Sequence, residues 1–222
     1  MQNIIFKLAA AALLPTLLAG QAQAFNLVVD SFNYSDSTTS STTFVNASIL
    51  GGESDFVLSN QANISLTAPI SIAAGELSIG PATAVGTNGF GLLNVYYDGT
   101  EADPEINFGL NLDLDTATAI EIDVVSVVGS VALAPTIYTN SLNRLGPTVL
   151  TSITAPGTYR FEFVDWTETG TVDLGDINAI RVQFQFNPTE SITLGEIRVV
   201  PEPATAAFCL LSLPLFLRRK RN

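Results

Sequence analysis

Apolar and polar residues alternate along three segments of this chain with the period of two that is typical of β-strands. The segments are residues 119–124, 159–164 and 180–186. Successive side chains of a strand point to opposite faces of a sheet, so we expect each segment to bury one side and expose the other. Residues 192–200 alternate less strictly and are also expected to form a strand.

Shorter apolar runs precede these segments and are separated by turn-forming residues. They lie at residues 25–32, 56–58, 64–66, 76–79 and 92–97. The Gly, Pro, Asn and Asp residues between them favour turns, because glycine accepts a positive φ and proline presets φ. No helical period is visible between the two ends of the chain. The pattern therefore predicts an all-β fold over residues 25–200, a two-sheet antiparallel β-sandwich with jelly-roll-like topology.

The same pattern allows an interpretation of three further stretches. Residues 35–43 consist only of Ser, Thr and Asp, and we expect a mobile loop there. Asn111, Asp113 and Asp115 alternate with leucines, which predicts a half-buried edge strand. Residues 173–178 predict a turn before the next strand.

The first 24 residues have the pattern of a secretory signal peptide. Lys7 precedes an apolar stretch at residues 8–19, and Ala22 and Ala24 fit the small-x-small pattern of a cleavage site. The alternative is a buried N-terminal helix, but a strand-like run follows Ala24 at once. We therefore expect a signal helix over residues 1–24 that signal peptidase removes on export.

The chain ends in an apolar segment followed by basic residues. Residues 204–217 would form a helix of about 21 Å, whereas a hydrocarbon core is about 30 Å thick, so the segment is marginal as a permanent span. The positive-inside rule would keep the last basic residues in the cytoplasm. These residues are Arg218, Arg219, Lys220 and Arg221. A short permanent anchor and a buried C-terminal helix are the alternatives, although a soluble helix would show a polar face.

Pro201, Glu202 and Pro203 precede this apolar and basic tail. In this order of parts, residues 201–222 resemble the PEP-CTERM tail of exported bacterial proteins. The resemblance implies that the Pro-Glu-Pro motif marks processing by an exosortase, a membrane protease. It also implies that residues 201–222 are a transient membrane anchor, and that the body is then released or re-attached at the cell surface.

Four short motifs of the body are similar to domains commonly found before such tails. They lie at residues 49–55, 96–99, 109–114 and 176–181. This second resemblance implies a jelly-roll domain and carries no activity with it.

The body is strongly acidic. Residues 25–200 contain 20 acidic residues and four arginines, a net charge near −16. Such a surface repels phosphates, so no nucleic-acid partner is expected. The chain has no histidine, which excludes a Ser-His-Asp triad and any histidine-ligated metal. Its single cysteine, Cys209, lies in the tail, so the body has no disulfide.

One turn-rich loop concentrates four carboxylates, Asp98, Glu101, Asp103 and Glu105. Hard cations such as Ca²⁺ take several oxygen ligands, and such a loop can supply them. The spacing matches neither an EF-hand nor a glycine-rich calcium repeat. A solvated, charged loop is therefore the favoured interpretation, and a Ca²⁺ site is the alternative.

Trp166, Tyr96 and Tyr97 are the candidate ligand-binding residues, because sugars stack on aromatic rings. Packing in the core is the competing interpretation for each. A glycoside hydrolase needs two carboxylates and no histidine, so it is the alternative function. No pair stands out among the acidic residues.

The sequence thus predicts an exported, non-enzymatic protein. We expect a membrane-tethered precursor that reaches the cell surface or the extracellular polysaccharide matrix. Its expected partners are the export machinery, signal peptidase, an exosortase and polysaccharide. The body is expected to be a structural or carbohydrate-associated module, and a secreted carboxylate-dependent glycoside hydrolase is the alternative.

Overall fold

The computed structural model of the chain contains a β-strand in each segment where the sequence predicts one. The predicted strand 159–164 is too long, because Phe163 and Val164 belong to a 3-10 turn, and residues 25, 26 and 64 of the predicted runs lie outside the described residues. The structure describes residues 27–40, 42–46, 49–60, 65–81, 83–85, 90–99 and 108–202. The predicted signal helix and the predicted C-terminal apolar helix lie outside these residues. Asn26–Val200 form one compact unit, and residues 1–25 and 201–222 are assigned to a second one.

The described residues form seventeen strands and one 3-10 turn, Phe163–Asp165. In chain order the strands are β1 (Leu27–Asp30), β2 (Asp36–Thr38), β3 (Thr42–Val45), β4 (Glu53–Asn60), β5 (Ser65–Thr67), β6 (Ile70–Ala73), β7 (Glu76–Ile79), β8 (Thr83–Val85), β9 (Gly91–Tyr97), β10 (Ala117–Val128), β11 (Val131–Tyr138), β12 (Arg144–Gly146), β13 (Thr151–Ile153), β14 (Gly157–Glu162), β15 (Thr167–Thr169), β16 (Ala179–Phe186) and β17 (Ser191–Pro201). No helix of the described part is long and apolar enough to cross a membrane.

The strands form two large antiparallel sheets and a two-stranded ribbon of β5 and β8. The seven-stranded sheet has the order β14-β10-β17-β7-β6-β2, and β1 also pairs with β17. The eight-stranded sheet has the order β15-β12-β11-β16-β9-β4-β3, and β13 also pairs with β11. The last strand of the chain, β17, therefore lies inside its sheet, between β10 and β7.

The two sheets contribute their apolar faces to one core, which makes the fold a β-sandwich. Burial follows the alternation of the sequence: Ile120, Ile122 and Val124 are buried in β10, and Val182 and Phe184 are buried in β16. The polar residues between them lie on the opposite faces. Complete burial of one such side chain stabilises the fold by about 1.5–3 kcal/mol, so the predicted face of each strand is also the one that drives folding.

Two predictions about segments outside the clear strands are wrong. Residues 35–43 contain β2 and the start of β3, which pair with β6 and β4, instead of forming only a loop. Threonine accepts strand geometry when a neighbouring edge offers hydrogen bonds. The segment with Asn111 is no edge strand, because only Leu112 bridges, to Ile177. There the Asn111 side chain donates to the Gly109 carbonyl oxygen, and φ of Asn111 is 51°.

The turn predicted at residues 173–178 is confirmed. The Asp176 N–H donates to the Asp173 carbonyl oxygen at 3.1 Å, and the Gly175 N–H donates to the Asp173 side chain at 3.0 Å. β16 begins directly after this turn, at Ala179.

A buried carboxylate, Asp30, lies at the end of β1 inside the sandwich. It accepts hydrogen bonds from the Phe32 N–H at 2.7 Å and from the hydroxyls of Tyr34 and Tyr97 at 3.2 and 3.4 Å. Burial raises the pKa of Asp30 to about 6, although the three hydrogen bonds act in the opposite direction. Burial, with the nearby Asp30 charge, also raises the pKa of both tyrosines. The core thus contains a group that is costly to ionise.

We expect Asp30→Asn to stabilise the protein at neutral pH. The pKa of Asp30 is raised from 3.8 to about 6, so its contribution to stability is complete below about pH 4 and is lost as the pH rises through 6. A shift of about two units corresponds to about 3 kcal/mol. Asparagine keeps a side-chain oxygen as acceptor but does not ionise.

Urea unfolding between pH 4 and pH 7.5 measures this difference. Relative to Asp30→Asn, the wild-type free energy of unfolding should fall by about 2–3 kcal/mol over that range. Asp165→Asn, at an exposed carboxylate, is the matched control and should follow the wild-type curve. Parallel curves for wild type and Asp30→Asn would show that Asp30 does not titrate in this way.

Candidate functional site

The four short motifs that the sequence singled out contact one another at one end of the eight-stranded sheet. The Gly109 N–H donates to the Asp98 carbonyl oxygen at 2.6 Å, and the Leu110 N–H donates to the Asn178 carbonyl oxygen at 3.0 Å. A Cβ on Gly51 would lie 2.7 Å from Leu110 Cδ1. Segments far apart in the chain thus form one packed cluster.

Two glycines allow this close approach. Gly51 and Gly99 have φ values of 82° and 110°, a backbone region that residues other than glycine rarely adopt. A Cβ on Gly99 would also lie 3.1 Å from the carbonyl carbon of Gly109. Both the backbone conformation and the available space therefore require glycine at these turns.

Three buried carboxylates lie together at the same end of the sheet. Glu53 and Asp55 belong to β4, and Asp98 directly follows β9. In the β4–β9 register Asp55 pairs with Tyr96, and continuing it by two residues brings Asp98 opposite Glu53. One carboxylate oxygen of each residue lies within 4.8 Å of the others. We call Glu53, Asp55 and Asp98 the acidic cluster.

The acidic cluster offers the ligands of a hard cation. Its side chains are 2%, 0% and 0% exposed, and like charges repel strongly where water is excluded. The separations suit a cation with oxygens at about 2.4 Å, as in calcium sites. The Thr43 hydroxyl donates to Asp55 and fixes its orientation. Of the predicted calcium loop, Asp98 belongs to this cluster, whereas Glu101, Asp103 and Glu105 lie outside the described residues.

A polar pocket of about 430 Å³ lies farther across the same sheet. It is lined by side chains of β11, β12, β15 and β16 and by the segment after β12. The lining residues are Thr136, Arg144, Gly146, Pro147, Thr148, Thr167, Thr169, Arg181 and Gln183. We call this cavity the arginine pocket.

The strand register builds the arginine pocket. Thr136 pairs with Arg181 across β11 and β16, and Arg144 pairs with Thr169 across β12 and β15. Alternation places these four side chains on the face that points away from the core. Gly146 has no side chain to fill the pocket beside Thr136. A Cβ at this position would lie only 2.9 Å from the Thr136 hydroxyl oxygen.

Arg181 is held in place at the pocket wall. Its Nη2 donates to the Thr136 hydroxyl oxygen at 3.1 Å, and its guanidinium carbon lies 5.6 Å from the ring centroid of Tyr138. Burial raises the pKa of Tyr138, while the positive charges of Arg181 and Arg144 act against that rise. Both arginine charges therefore reach the same tyrosine.

The three aromatic residues proposed from the sequence occupy different environments. Tyr96 is half-buried and pairs with Arg181, so it lies on the pocket face of the sheet. Tyr97 is fully buried and points into the core. Trp166 is only 9% exposed and packs on Phe163, with ring centroids 4.8 Å apart. Tyr97 and Trp166 therefore present no exposed ring.

Sequence reasoning missed Glu53, Asp55 and the two pocket arginines. The spacing of Glu53 and Asp55 places them on one face of a strand, and both lie in the motif at residues 49–55, but that motif indicated only the fold and no ligand. Arg144 and Arg181 are 37 positions apart along the numbering. Only the pairing of strands brings each set together.

The chain matches no protein-family model and no curated protein. The resemblance of its tail to PEP-CTERM segments therefore stays a prediction from the motif alone.

Calcium is expected to raise the thermal unfolding temperature through the acidic cluster. A ligand that binds only the folded state at 100 times its Kd adds about 2.7 kcal/mol, which corresponds to roughly 5–10 °C for a domain of this size. Calorimetry with calcium and with a chelator measures the shift. Asp98→Asn should reduce it and Asp55→Asn with Asp98→Asn should remove it.

The double variant Asp113→Asn with Asp115→Asn is the control for this prediction. Both residues are exposed, and their substitution removes the same number of charges as the double variant of the acidic cluster. The response to calcium should therefore remain. An equal response in both double variants, or none in the wild-type protein, would rule out cation binding at the acidic cluster.

Proposed function

We propose that this chain is an exported, non-enzymatic protein of the cell surface or extracellular polysaccharide matrix, whose body binds polysaccharide in the arginine pocket. The pocket itself carries the proposal. Its volume of about 430 Å³ lies within the range typical of ligand sites. Threonine hydroxyls donate and accept hydrogen bonds, and guanidinium groups donate them, which matches the hydroxyl groups of a sugar.

Apolar contact is available beside these polar groups. Tyr96 lies next to Arg181 across β9 and β16, and Pro147 lines the pocket. Sugars present apolar C–H faces as well as hydroxyls, so a ring and a proline near the hydroxyl-rich wall support saccharide binding.

Two observations favour binding over glycoside hydrolysis. None of the residues that line the arginine pocket is acidic, whereas hydrolysis needs a carboxylate pair about 5–10 Å apart across a cleft. The acidic cluster has the carboxylates, but they are at most 2% exposed, which gives a substrate no access to them.

The strand order supports a jelly-roll-like topology as the finer description of the sandwich. The chain passes from β9 in the eight-stranded sheet to β10 in the seven-stranded sheet and returns at β11. It crosses again from β16 to β17. Repeated crossing between sheets is typical of such folds.

We also propose that the Pro-Glu-Pro motif directs processing by an exosortase after export and signal-peptide removal. β17 ends at Pro201, and Glu202 is exposed directly after it. Cleavage at this point would leave every described strand intact, so the body would keep its fold when the transient membrane anchor is lost.

The double variant Thr167→Ala with Thr169→Ala is expected to weaken polysaccharide binding at least about fivefold. Each hydroxyl that hydrogen-bonds a ligand contributes about 0.5–1.5 kcal/mol. Affinity electrophoresis of the full chain in detergent, through gels containing neutral or acidic polysaccharides, measures binding. Both threonines are exposed, so stability should change little.

Thr151→Ala, at an exposed threonine of β13 outside the pocket, is the control and should bind like wild type. Absence of saturable binding to every polysaccharide would refute the proposed function of the body. Equal losses in the control and the pocket variant would place the binding surface elsewhere.

Replacing Pro201, Glu202 and Pro203 by alanine is expected to keep the chain in the membrane fraction of cells that produce an exosortase. The motif would no longer be recognised, so the apolar tail would stay attached. Immunoblots of membrane and extracellular fractions measure this, with Asp165→Ala as a control at another exposed acidic residue. Normal release of the triple variant would contradict the sorting proposal.

A further inference from the structure

The four arginines of the body fall into two classes. Arg160 and Arg198 make the five ion pairs seen among the described residues, with Glu121, Asp123 and two other carboxylates of the seven-stranded sheet. Partial burial opposes ionisation of Glu121, but hydrogen bonds from both arginines lower its pKa. The charges of Arg160 and Arg198 are thus neutralised within the protein.

Arg144 and Arg181 form the other class, and both line the arginine pocket. No described carboxylate lies within 4.0 Å of either guanidinium group, although acidic residues of the body outnumber arginines by 20 to four. In a chain this acidic, two neighbouring arginines with no carboxylate partner among the described residues are unexpected. Their charges remain available to a ligand.

The strand alternation keeps Glu168 of β15 out of the pocket. Thr167 and Thr169 of β15 point into it, so Glu168 between them points to the opposite face. There the Glu168 side chain accepts a hydrogen bond from the Val172 N–H at 2.6 Å. The pocket is thus a positive site within a strongly negative body.

Arg181 is also arranged to favour an anion. The Thr136 hydroxyl and the Tyr138 ring fix its position, so little conformational entropy is lost on binding. Its Nε is buried and has no hydrogen-bond partner among the described residues. A charge that is incompletely solvated by its surroundings gains more from an opposite charge. Arg144, in contrast, is exposed.

We propose that Arg144 and Arg181 bind an oxyanion group carried by a saccharide, so that the ligand of this module is an acidic polysaccharide. This inference rests on the proposed function. Guanidinium groups match carboxylate and sulfate oxygens in forked, charge-assisted hydrogen bonds. The threonines and Gln183 contact the sugar hydroxyls, and the two arginines select the charged sugar.

The test compares polysaccharides that differ only in charge. The full chain in detergent, with a chelator and about 0.15 M salt to screen the net charge of the body, is titrated with dextran, carboxymethyl-dextran and dextran sulfate. Polygalacturonate and its methyl ester form a second pair. We expect the charged member of at least one pair to bind at least tenfold more tightly than the neutral one. The carboxylated and sulfated dextrans distinguish the two sources of the oxyanion.

Arg144→Gln is expected to weaken binding of the charged polysaccharide at least tenfold, as is typical for loss of a charged hydrogen bond, and to leave the neutral one unchanged. Arg181→Gln should do the same, with folding checked by thermal unfolding. Arg160→Gln removes the same charge on the other sheet and should have no effect beyond about twofold. Because Arg144 is exposed, its variant tests the proposal even if Arg181→Gln does not fold.

The outcomes separate this inference from the proposed function. Equal binding of neutral and charged polysaccharides, weakened by Thr167→Ala with Thr169→Ala but not by Arg144→Gln, would overturn the inference and keep the proposed function. Equal losses in Arg144→Gln and Arg160→Gln would show non-specific attraction and overturn the inference. No binding to any polysaccharide would overturn both.

Discussion

The acidic cluster and the arginine pocket both depend on one constraint, the antiparallel hydrogen-bond ladder of β4, β9, β16 and β11. It pairs Asp55 with Tyr96, Tyr96 with Arg181, and Arg181 with Thr136, all on the face away from the core. A slip of one residue in any strand would turn its polar side chains into the sandwich and its apolar ones out. The buried side chains on the inner face therefore fix the positions of the polar groups on the outer face.

Charged side chains are arranged differently on the outer faces of the two sheets. On the seven-stranded sheet, Arg198 lies between Glu121 and Asp123, and opposite charges cancel in place. On the eight-stranded sheet, Asp55 and Arg181 lie on strands either side of β9, roughly 10 Å apart at the usual strand spacing. Tyr96 lies between them. Opposite charges are thus kept apart at these two positions of the sheet.

The period of two in the sequence predicted the strands and their buried faces, because burial of Ile120, Ile122 or Phe184 depends on local alternation. It did not predict which strands are neighbours. The acidic cluster needs Asp98 opposite Glu53, and the arginine pocket needs β12 beside β11, and neither pairing has a local signal. The sequence predicts a loop at residues 35–43 because this Ser- and Thr-rich stretch has no apolar alternation. Its two strands are defined by pairing with β6 and β4, which are distant in the chain.

The interior position of β17 has a consequence for the order of folding. Among the described strands this one comes last in the chain, so the seven-stranded sheet has a gap between β10 and β7 until residues 191–201 are available. Until then β10 and β7 each keep an unpaired edge, and unpaired edges invite pairing with another chain. The C-terminal strand therefore completes the sandwich, and a chain shortened before β17 would expose two edges that are prone to aggregation.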